Sequence, residues 1–310
     1  MAGLTGADFS EHDATGVVTA SFAGTPDARL REVLDALVRH LHAFVRETRP
    51  TSAEWQAGIG YLTATGLRCD DARQEFVLLS DVLGVSMLVE SINNRKAGDA
   101  TEATVLGPFH VVGSPARPLG ADIAGTGTAE TAVGEECVVT GRVVAQAPDG
   151  TSGPGLAGAT VDVWQAGGDG LYDVQAPGER PEGHLRGLFT TDADGRFWFR
   201  TVVPSSYSIP DDGPVGALLR ASGRHPHRPA HVHVIAAAPG HVPVTTQVFV
   251  AGDPYLGSDA VFGVRRSLIR AFDQVDDRDR AAEYGVSNPF RHAHFDVVLQ
   301  PVDPGPGGSR

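Results

Sequence analysis

The sequence predicts an α+β protein in which a helical N-terminal region precedes a β-sandwich or a β-barrel. Apolar residues recur at helical spacing through roughly the first hundred positions. Beyond Gly107-Pro108 the apolar runs become short, polar and apolar residues alternate, and Gly and Pro cluster between the runs. That second pattern is typical of strands joined by tight turns.

Three helices are predicted in the N-terminal region. The first covers 26–47, because Thr25-Pro26 supplies a capping residue followed by proline at the first helical position. The second opens at Thr51-Ser52-Ala53-Glu54, which is a capping-box pattern. A third helix follows over about 70–94. Residues 1–24 lack strong periodicity and are predicted to form a flexible arm.

The strands are predicted in the second part of the chain. Residues 25–104 therefore form a helical domain and residues 105–302 a β domain, and the Pro- and Gly-rich residues 303–310 are expected to be a disordered tail. The predicted strands are Glu136–Val144, Thr160–Gln165, Gly195–Thr201, Ala230–Ala236, Thr245–Val250 and His294–Leu299.

Composition excludes several classes of protein. The formal charge of −13 and the lack of a basic run interleaved with aromatic residues argue against a nucleic-acid binder. No run approaches the roughly 18 apolar residues of a membrane span, and the N-terminus lacks a signal-peptide pattern. Two cysteines far apart in sequence, Cys69 and Cys137, argue against a disulfide scaffold. We therefore expect a cytoplasmic protein.

The segment Arg228–Val234 is the strongest candidate for chemistry. Its H-x-H pair in a β-branched run indicates a strand, and alternation places His231 and His233 on one face. Such a pair is half of a metal site or, more plainly, two half-buried strand histidines. Tyr172 and Tyr207 lie upstream in segments punctuated by Gly and Pro. Because a tyrosine ionises readily only beside a strong Lewis acid, the four residues favour a hard trivalent ion such as Fe(III).

At these residues the chain resembles the intradiol ring-cleavage dioxygenases, which are non-haem ferric enzymes that cut catechols between their two hydroxyls. A match to one motif could arise by chance, but the ordered set is highly specific. The segments that carry the resemblance are Thr104–Phe109, Gly158–Gln165, Gly170–Asp173, Ile209–Pro214 and Arg228–His233.

The resemblance implies a mostly antiparallel β-sandwich that holds one non-haem Fe(III) per subunit. Its implied ligands are Tyr172, Tyr207, His231 and His233. In the family the second tyrosine, here Tyr207, leaves the metal when substrate binds and takes a proton. The residue matching Arg228 stabilises negative charge that develops on the substrate ring, and Gln247 matches a glutamine near the ligands. The implied substrates are a catechol-type diol and O2.

Pocket residues are also implied by the resemblance. Asp81 is the informative one, because a carboxylate at the pocket wall would accept a hydrogen bond from an additional ring hydroxyl and would disfavour plain catechol. This points to the hydroxyquinol 1,2-dioxygenase branch, with a catechol or chlorocatechol 1,2-dioxygenase as the alternative. Leu106 departs from the phenylalanine expected in that branch. The implied pocket residues are Leu78, Asp81, Val105, Leu106, Gly107, Pro108, Phe109, Ile209, Pro210 and Arg228.

Other interpretations and partners remain. A helical domain with a β-sandwich is also compatible with a non-catalytic, transthyretin-like binding module. A zinc or ferrous enzyme would use His231 and His233 with a carboxylate and would need neither tyrosine. By the resemblance, the N-terminal helices form the interface of a homodimer, with a bound lipid in some members. A second H-x-H pair, His292 and His294, lacks accompanying tyrosines and is predicted to be structural.

Overall fold

A computed structural model describes residues 9–70, 73–125, 133–175, 178 and 180–302. By their internal contacts the residues form two compact units, Met1–Ala64 and Thr65–Arg310. This division differs from the predicted boundary between a helical domain and a β domain at 104/105, and that boundary stays a prediction. The predicted tail at 303–310 lies outside the described residues.

The first unit is helical. Its elements are α1 (Ala14–Ser21), α2 (Ala28–Thr48) and most of α3 (Ser52–Leu67). The segment that was predicted to be a flexible arm contains α1, a short helix held by contacts that periodicity does not reveal. Arg46 on α2 donates to the hydroxyl of Thr15 at 2.8 Å and to the carbonyl of Glu11.

The caps of the two long helices follow from side chains in the sequence. Asp27, rather than Thr25, caps α2 by accepting hydrogen bonds from the backbone of Arg29 and Leu30. The capping box that opens α3 is confirmed, since the Glu54 carboxylate accepts from the backbone N–H of Thr51 and the Thr51 hydroxyl accepts from the backbone of Glu54.

The predicted helix over 70–94 is two helices, so the prediction of one element was wrong. They are α4 (Glu75–Val82) and α5 (Val85–Asn93), separated at Gly84, which has a φ of 72°. A left-handed residue at this point ends one helix and redirects the chain. Two further helices, α6 (Pro214–Ala221) and α7 (Arg278–Tyr284), lie among the strands.

Thirteen strands are present in the described part of the chain. Seven of their ten pairings are antiparallel. The strands are β1 (Glu136–Gln146), β2 (Ser152–Gly155), β3 (Thr160–Gln165), β4 (Arg186–Thr190), β5 (Arg196–Val202), β6 (Tyr207–Ser208), β7 (His227–Arg228), β8 (His231–Ala237), β9 (Val244–Val250), β10 (Ile269–Arg270), β11 (Phe272–Val275), β12 (Phe290–His294) and β13 (Val297–Leu299).

Two sheets enclose the main core. One has the order β11-β12-β1-β13, with β2 and β5 also paired to β1, and the other has the order β10-β9-β8-β3-β4. Inward-facing side chains of both sheets form one buried cluster, which includes Val139, Phe199, Val163 and Val232. The α+β prediction is therefore confirmed, with a sandwich rather than a barrel. Among the residues described, no helix is both long and apolar enough to cross a bilayer.

Candidate metal centre and substrate pocket

Strand β8 presents two histidines on the face opposite the main core. His231 and His233 are 1% exposed, and their Nε2 atoms lie 3.0 Å apart, while Val232 and Val234 point into the core. This is the arrangement that alternation predicts. The Nδ1 atom of His231 is 2.7 Å from the carbonyl oxygen of Pro229, so Nδ1 carries the proton and Nε2 keeps its lone pair.

Tyr172 reaches the same point from the turn after β3. Its side chain is buried, and its hydroxyl lies 3.1 Å from Nε2 of His233. Gly170 allows this approach. It has a φ of 78°, and a Cβ there would lie 3.1 Å from the carbonyl oxygen of Ser206 and 3.4 Å from Cβ of Tyr207. The close passage of the two segments places the two tyrosine rings 5.3 Å apart.

Tyr207 and Arg228 are held together by a two-stranded ribbon. Tyr207 on β6 is directly paired with Arg228 on β7, and Nη1 of Arg228 lies 3.4 Å from the Tyr207 hydroxyl. An unbroken strand would turn Arg228 away from His231, because they are three positions apart and side chains alternate between the two faces. Pro229 interrupts the strand, and Nη1 of Arg228 lies 3.4 Å from Nε2 of His231.

Burial sets the ionisation of these groups. It lowers the pKa of His231 to about 3, with the positive charge of Arg228 as the second cause. The pKa of His233 is also lowered, by burial and then by His231. Both imidazoles are therefore neutral and able to donate a lone pair. Burial, followed by the neighbouring Tyr207, raises the pKa of Tyr172 well above its ordinary value. The protein alone thus keeps this phenol protonated.

The donor set fits a hard, highly charged metal ion. Two imidazole nitrogens and two phenol oxygens belong to side chains that are at most 5% exposed. Over the described ranges, no cluster of three or more His, Cys, Asp or Glu side chains could hold a metal. An ion that ionises phenols finds four suitable donors at this point, namely two imidazole nitrogens and two phenol oxygens.

Most predicted pocket residues gather beside these donors. Leu78, Ile209 and the two tyrosines share one buried cluster, against which Val105 and Phe109 pack. The ring of Phe109 stacks on Tyr172 at 4.6 Å. Gly107 passes close to His233, since a Cβ at Gly107 would lie 3.2 Å from Cε1 of the histidine. Leu106 and Pro108 are exposed.

Asp81 is buried, as a pocket-wall role requires. It lies on α4 with 6% of its surface exposed. Burial raises the pKa of Asp81, while Ser86 and the positive charge of Arg228 act in the opposite direction. This carboxyl group therefore lies within the electrostatic influence of the predicted catalytic arginine, although it belongs to an eight-residue helix of mostly apolar residues.

Several residues around the centre were not predicted from the sequence. Trp164 stacks on His233 at 4.5 Å, and Arg186 binds both the Asp173 carboxylate and the carbonyl of Phe109. Asp259 forms an ion pair with Arg228. Trp164 lies in the Gly158–Gln165 segment and could have been found as a neighbour of His233, but the contacts of Arg186 and Asp259 leave no local signal.

The second H-x-H pair has a different environment. The hydroxyl of Thr140 lies 3.0 Å from Nε2 of His292 and 2.9 Å from Nδ1 of His294. These two ring nitrogens are thus engaged with a neighbouring strand, which agrees with the predicted structural role.

Comparison with known proteins gives a consistent result. The family model described as "Dioxygenase" matches residues 107–301, and that described as "Catechol dioxygenase N terminus" matches 27–101. The hydroxyquinol 1,2-dioxygenase of Rhizobium sp. (strain MTP-10005) is 49% identical over 292 residues, which cover 94% of this chain and 96% of that protein. The 6-chlorohydroxyquinol 1,2-dioxygenase of Cupriavidus pinatubonensis (strain JMP 134 / LMG 1197) is 55% identical over 296 residues, which cover 95% and 99%.

A solved structure shares the fold. Hydroxyquinol 1,2-dioxygenase from Pseudomonas putida DLL-E4 superposes with a TM-score of 0.85 at 43% sequence identity, and the match covers 94% of this chain and 99% of that one.

Proposed function

Since the chain belongs to the intradiol ring-cleavage dioxygenase family, we propose that it cleaves hydroxyquinol, benzene-1,2,4-triol, with O2 to 3-hydroxy-cis,cis-muconate, the enol of maleylacetate. The convergence of two imidazoles and two phenols at one buried point is the observation that carries the chemistry. The buried carboxyl group of Asp81 is the observation that carries the choice of the triol.

The metal in this proposal is a non-haem ferric ion held by Tyr172, Tyr207, His231 and His233. When bound, it would lower the pKa of the phenols and bind the adjacent hydroxyls of the substrate. The neutral imidazoles and the absence of a suitable carboxylate cluster among the described residues support this ligand set.

The protein's own residues supply the remaining steps. Tyr207, which the bound ion would hold as a phenolate, would accept one proton of the diol and become a neutral phenol. Nη1 of Arg228, which lies 3.4 Å from the Tyr207 oxygen, stabilises the negative charge that develops on the ring. Gln247 accepts a hydrogen bond from Nη2 of Arg228 at 2.7 Å and orients the guanidinium. Trp164 and Phe109 stack on His233 and Tyr172 and exclude water from the donors.

Asp81 is the residue that selects the triol over catechol in this proposal. Its carboxyl group accepts a hydrogen bond from the third hydroxyl of the triol, and plain catechol would leave this buried group without that hydrogen bond, with the Ser86 side chain as its remaining partner. The wall beside it is formed by Leu78, Val105 and Ile209. A ring-chlorinated triol is a second candidate substrate, because a relative at 55% identity is named for 6-chlorohydroxyquinol.

Oxygen uptake by the purified, iron-replete protein tests the proposal. We expect kcat/KM for the triol, corrected for its autoxidation, to exceed that for catechol. Asp81→Ala should lower the triol value about tenfold or more relative to catechol, because a hydrogen bond to a charged group contributes about 1.5–3 kcal/mol. Equal losses with both substrates would remove Asp81 from substrate selection, and a preference for catechol would replace the triol by the alternative substrate.

The visible absorption spectrum distinguishes a ferric enzyme from a non-catalytic binding module. Charge transfer from phenolate to Fe(III) should make the protein red-brown, and Tyr172→Phe or Tyr207→Phe should alter the visible band. Tyr284→Phe is the matched control, because Tyr284 packs against Trp198 and Phe290. A colourless protein that nevertheless contains one iron per chain would contradict the ligand set.

We also propose a homodimer in the cytoplasm, formed through the N-terminal helices with space for a lipid. An exposed apolar stripe along α2 supports this, and both cysteines are free, as a reducing compartment requires. The residues of the stripe are Leu30, Val33, Leu37, Leu41, Phe44 and Val45.

A further inference from the structure

The guanidinium of Arg228 is bound on one edge by a buried carboxylate that the sequence did not reveal. Its Nε donates to Oδ1 of Asp259 at 3.1 Å, and its Nη2 lies 3.3 Å from Oδ2 of the same group. Both side chains are 2% exposed. Asp259 is itself fixed, because it accepts hydrogen bonds from the backbone N–H groups of Val261 at 3.2 Å and Gly263 at 2.9 Å.

Counting donors shows what this contact achieves. Arginine has five N–H bonds in a rigid plane. The single N–H of Nε is used by Asp259, and the two on Nη2 are used by Asp259 and Gln247. Only Nη1 remains, and it faces the hydroxyl of Tyr207 and Nε2 of His231, each at 3.4 Å.

The space for this network depends on one glycine. A Cβ at Gly263 would lie 2.7 Å from Nη2 of Arg228, 3.1 Å from Oδ2 of Asp259 and 3.4 Å from Oε1 of Gln247. The φ of Gly263 is not in the left-handed region, so its backbone conformation does not require glycine. Glycine is required here because a larger residue would collide with its neighbours.

We propose that Asp259 is a positioning residue of the active site, and that Gly263 leaves the room in which it holds Arg228. The carboxylate determines which nitrogen of the guanidinium faces the reacting groups and balances its charge before substrate arrives. The inference rests on the proposed function, because that function assigns to Arg228 the stabilisation of negative charge on the substrate ring. Burial opposes ionisation of Asp259, but the charge of Arg228, the hydrogen bond from its guanidinium and the backbone N–H of Val261 together keep the pKa of Asp259 below its ordinary value.

Asp259→Asn removes this geometry with little change of volume. Its single oxygen can still accept from Nε of Arg228, but its amide nitrogen then faces two donors, Nη2 of Arg228 and the N–H of Gly263. We expect kcat for the triol to fall about 10- to 100-fold, the usual effect of removing a group that orients a catalytic residue. KM, iron content and anaerobic affinity for catechol should stay within about threefold, because Arg228 acts on charge that develops during the reaction.

Gly263→Ala tests the same inference without changing a charge, and it decides the matter if Asp259→Asn does not fold. It should reproduce the fall in kcat at unchanged iron content. Gly257→Ala is its matched control, because a Cβ there meets nothing within 4 Å and no positive φ is involved. That variant should behave like wild type.

The outcomes separate two failures. Wild-type kcat per iron in both Asp259→Asn and Gly263→Ala would overturn the inference and leave the proposed function intact, as would a loss of rate that only follows a loss of iron. A wild-type protein that consumes no oxygen with any diol would overturn the proposed function and the inference with it.

Discussion

At the scale of single residues, the site combines groups whose ionisation the protein opposes with groups whose charge it balances. Tyr172 is kept protonated by burial, and His231 and His233 are kept neutral. Arg228 stays charged because Asp259 compensates it within the same buried space. These three proposed metal ligands are thus neutral in the protein alone, while Arg228, the proposed catalytic cation, is charged.

Burying Asp81, the residue proposed to select the substrate, costs folding free energy. Burial raises its pKa above the ordinary value of 3.8, so the folded protein holds this proton more tightly than the unfolded chain does. Stability attributable to Asp81 is therefore highest at acid pH and falls as pH rises through the interval between 3.8 and the raised pKa. Above the raised pKa the full cost of burying the carboxylate is present.

Asp81→Asn should relieve that cost. We expect the variant to be at least as stable as wild type at pH 7 and its advantage to disappear as pH falls toward 3.8. Urea unfolding at a series of pH values measures this difference. A variant that is less stable than wild type, by an amount that grows as pH rises, would show that the carboxylate is stabilised in the folded protein.

The site residues that could be predicted are those that short sequence patterns identify. His231 and His233 are two apart on a strand, and Tyr172 and Tyr207 lie in recognisable segments. Asp259 was missed because its partner, Arg228, is 31 residues away and the contact exists only once the loop after β9 has folded over β7. Hydrogen bonds between distant loops have no period and no motif.

At the scale of elements, helix α4 is the part of the pocket that most needs support, because it is only eight residues long. Its N-terminal end is held by the fully buried Glu75, which accepts from Nε of Arg73 at 2.8 Å and from the backbone of Val215 on α6 at 3.1 Å. Its C-terminal end is held by Arg224, which donates to the carbonyl oxygens of Val82 and Ala260. The wall that carries Asp81 is thus fixed at both ends.

The break between α4 and α5 marks a limit of periodicity. Apolar residues continue at helical spacing across Gly84, so one long helix was predicted. The left-handed conformation of Gly84 ends α4, and the ring of Phe262 would lie only 3.4 Å from a Cβ at this position. Five of the six predicted strands lie within two residues of observed strands, because alternation against a two-sided core fixes their register. The predicted strand His294–Leu299 was wrong, since it joins the last residue of β12 to β13.

Glu75→Gln should loosen α4. The glutamine oxygen can still accept from Val215, but its amide nitrogen would face the donor Nε of Arg73. We expect a loss of about 1–3 kcal/mol in unfolding free energy, the usual cost of leaving a buried polar group without its partner. The triol-to-catechol preference should fall with it, since Asp81 lies on the same helix. Denaturant unfolding and oxygen uptake measure the two effects.

Arg196→Gln is the control for this change. It breaks an ion pair with Asp194 in which both side chains are 62% exposed, so stability should change by no more than about 0.5 kcal/mol. If Glu75→Gln altered stability as little as this control does, the buried contact would have no role in holding α4.

At the scale of the whole molecule, the apolar stripe of α2 is exposed in the single chain. Every residue of this 21-residue helix remains at least partly exposed in the single chain. The stripe residues recur every three or four positions, which is the pattern of a helix that packs against something. Periodicity predicted the helix but could not distinguish packing within the chain from packing against a second copy. In the proposed homodimer a second copy would cover the stripe.

Leu41→Glu places a charge in the middle of that stripe and should weaken the proposed homodimer. Leu41 is 53% exposed in the single chain, so the monomer should tolerate the change while a buried interface should not. We expect sedimentation velocity to show a dimer for wild type and a monomer for the variant. The visible band should be unchanged, because the metal centre is built from residues 172–233.

Ala43→Glu is the matched control, because it adds the same charge to an exposed position of α2 outside the stripe. It should remain a dimer. Dissociation of both variants would mean that negative charge anywhere on α2 drives the subunits apart, and persistence of the dimer in both would place the interface on another surface. Dissociation of Leu41→Glu alone would assign the stripe to the interface, where an apolar chain of a lipid could also be accommodated.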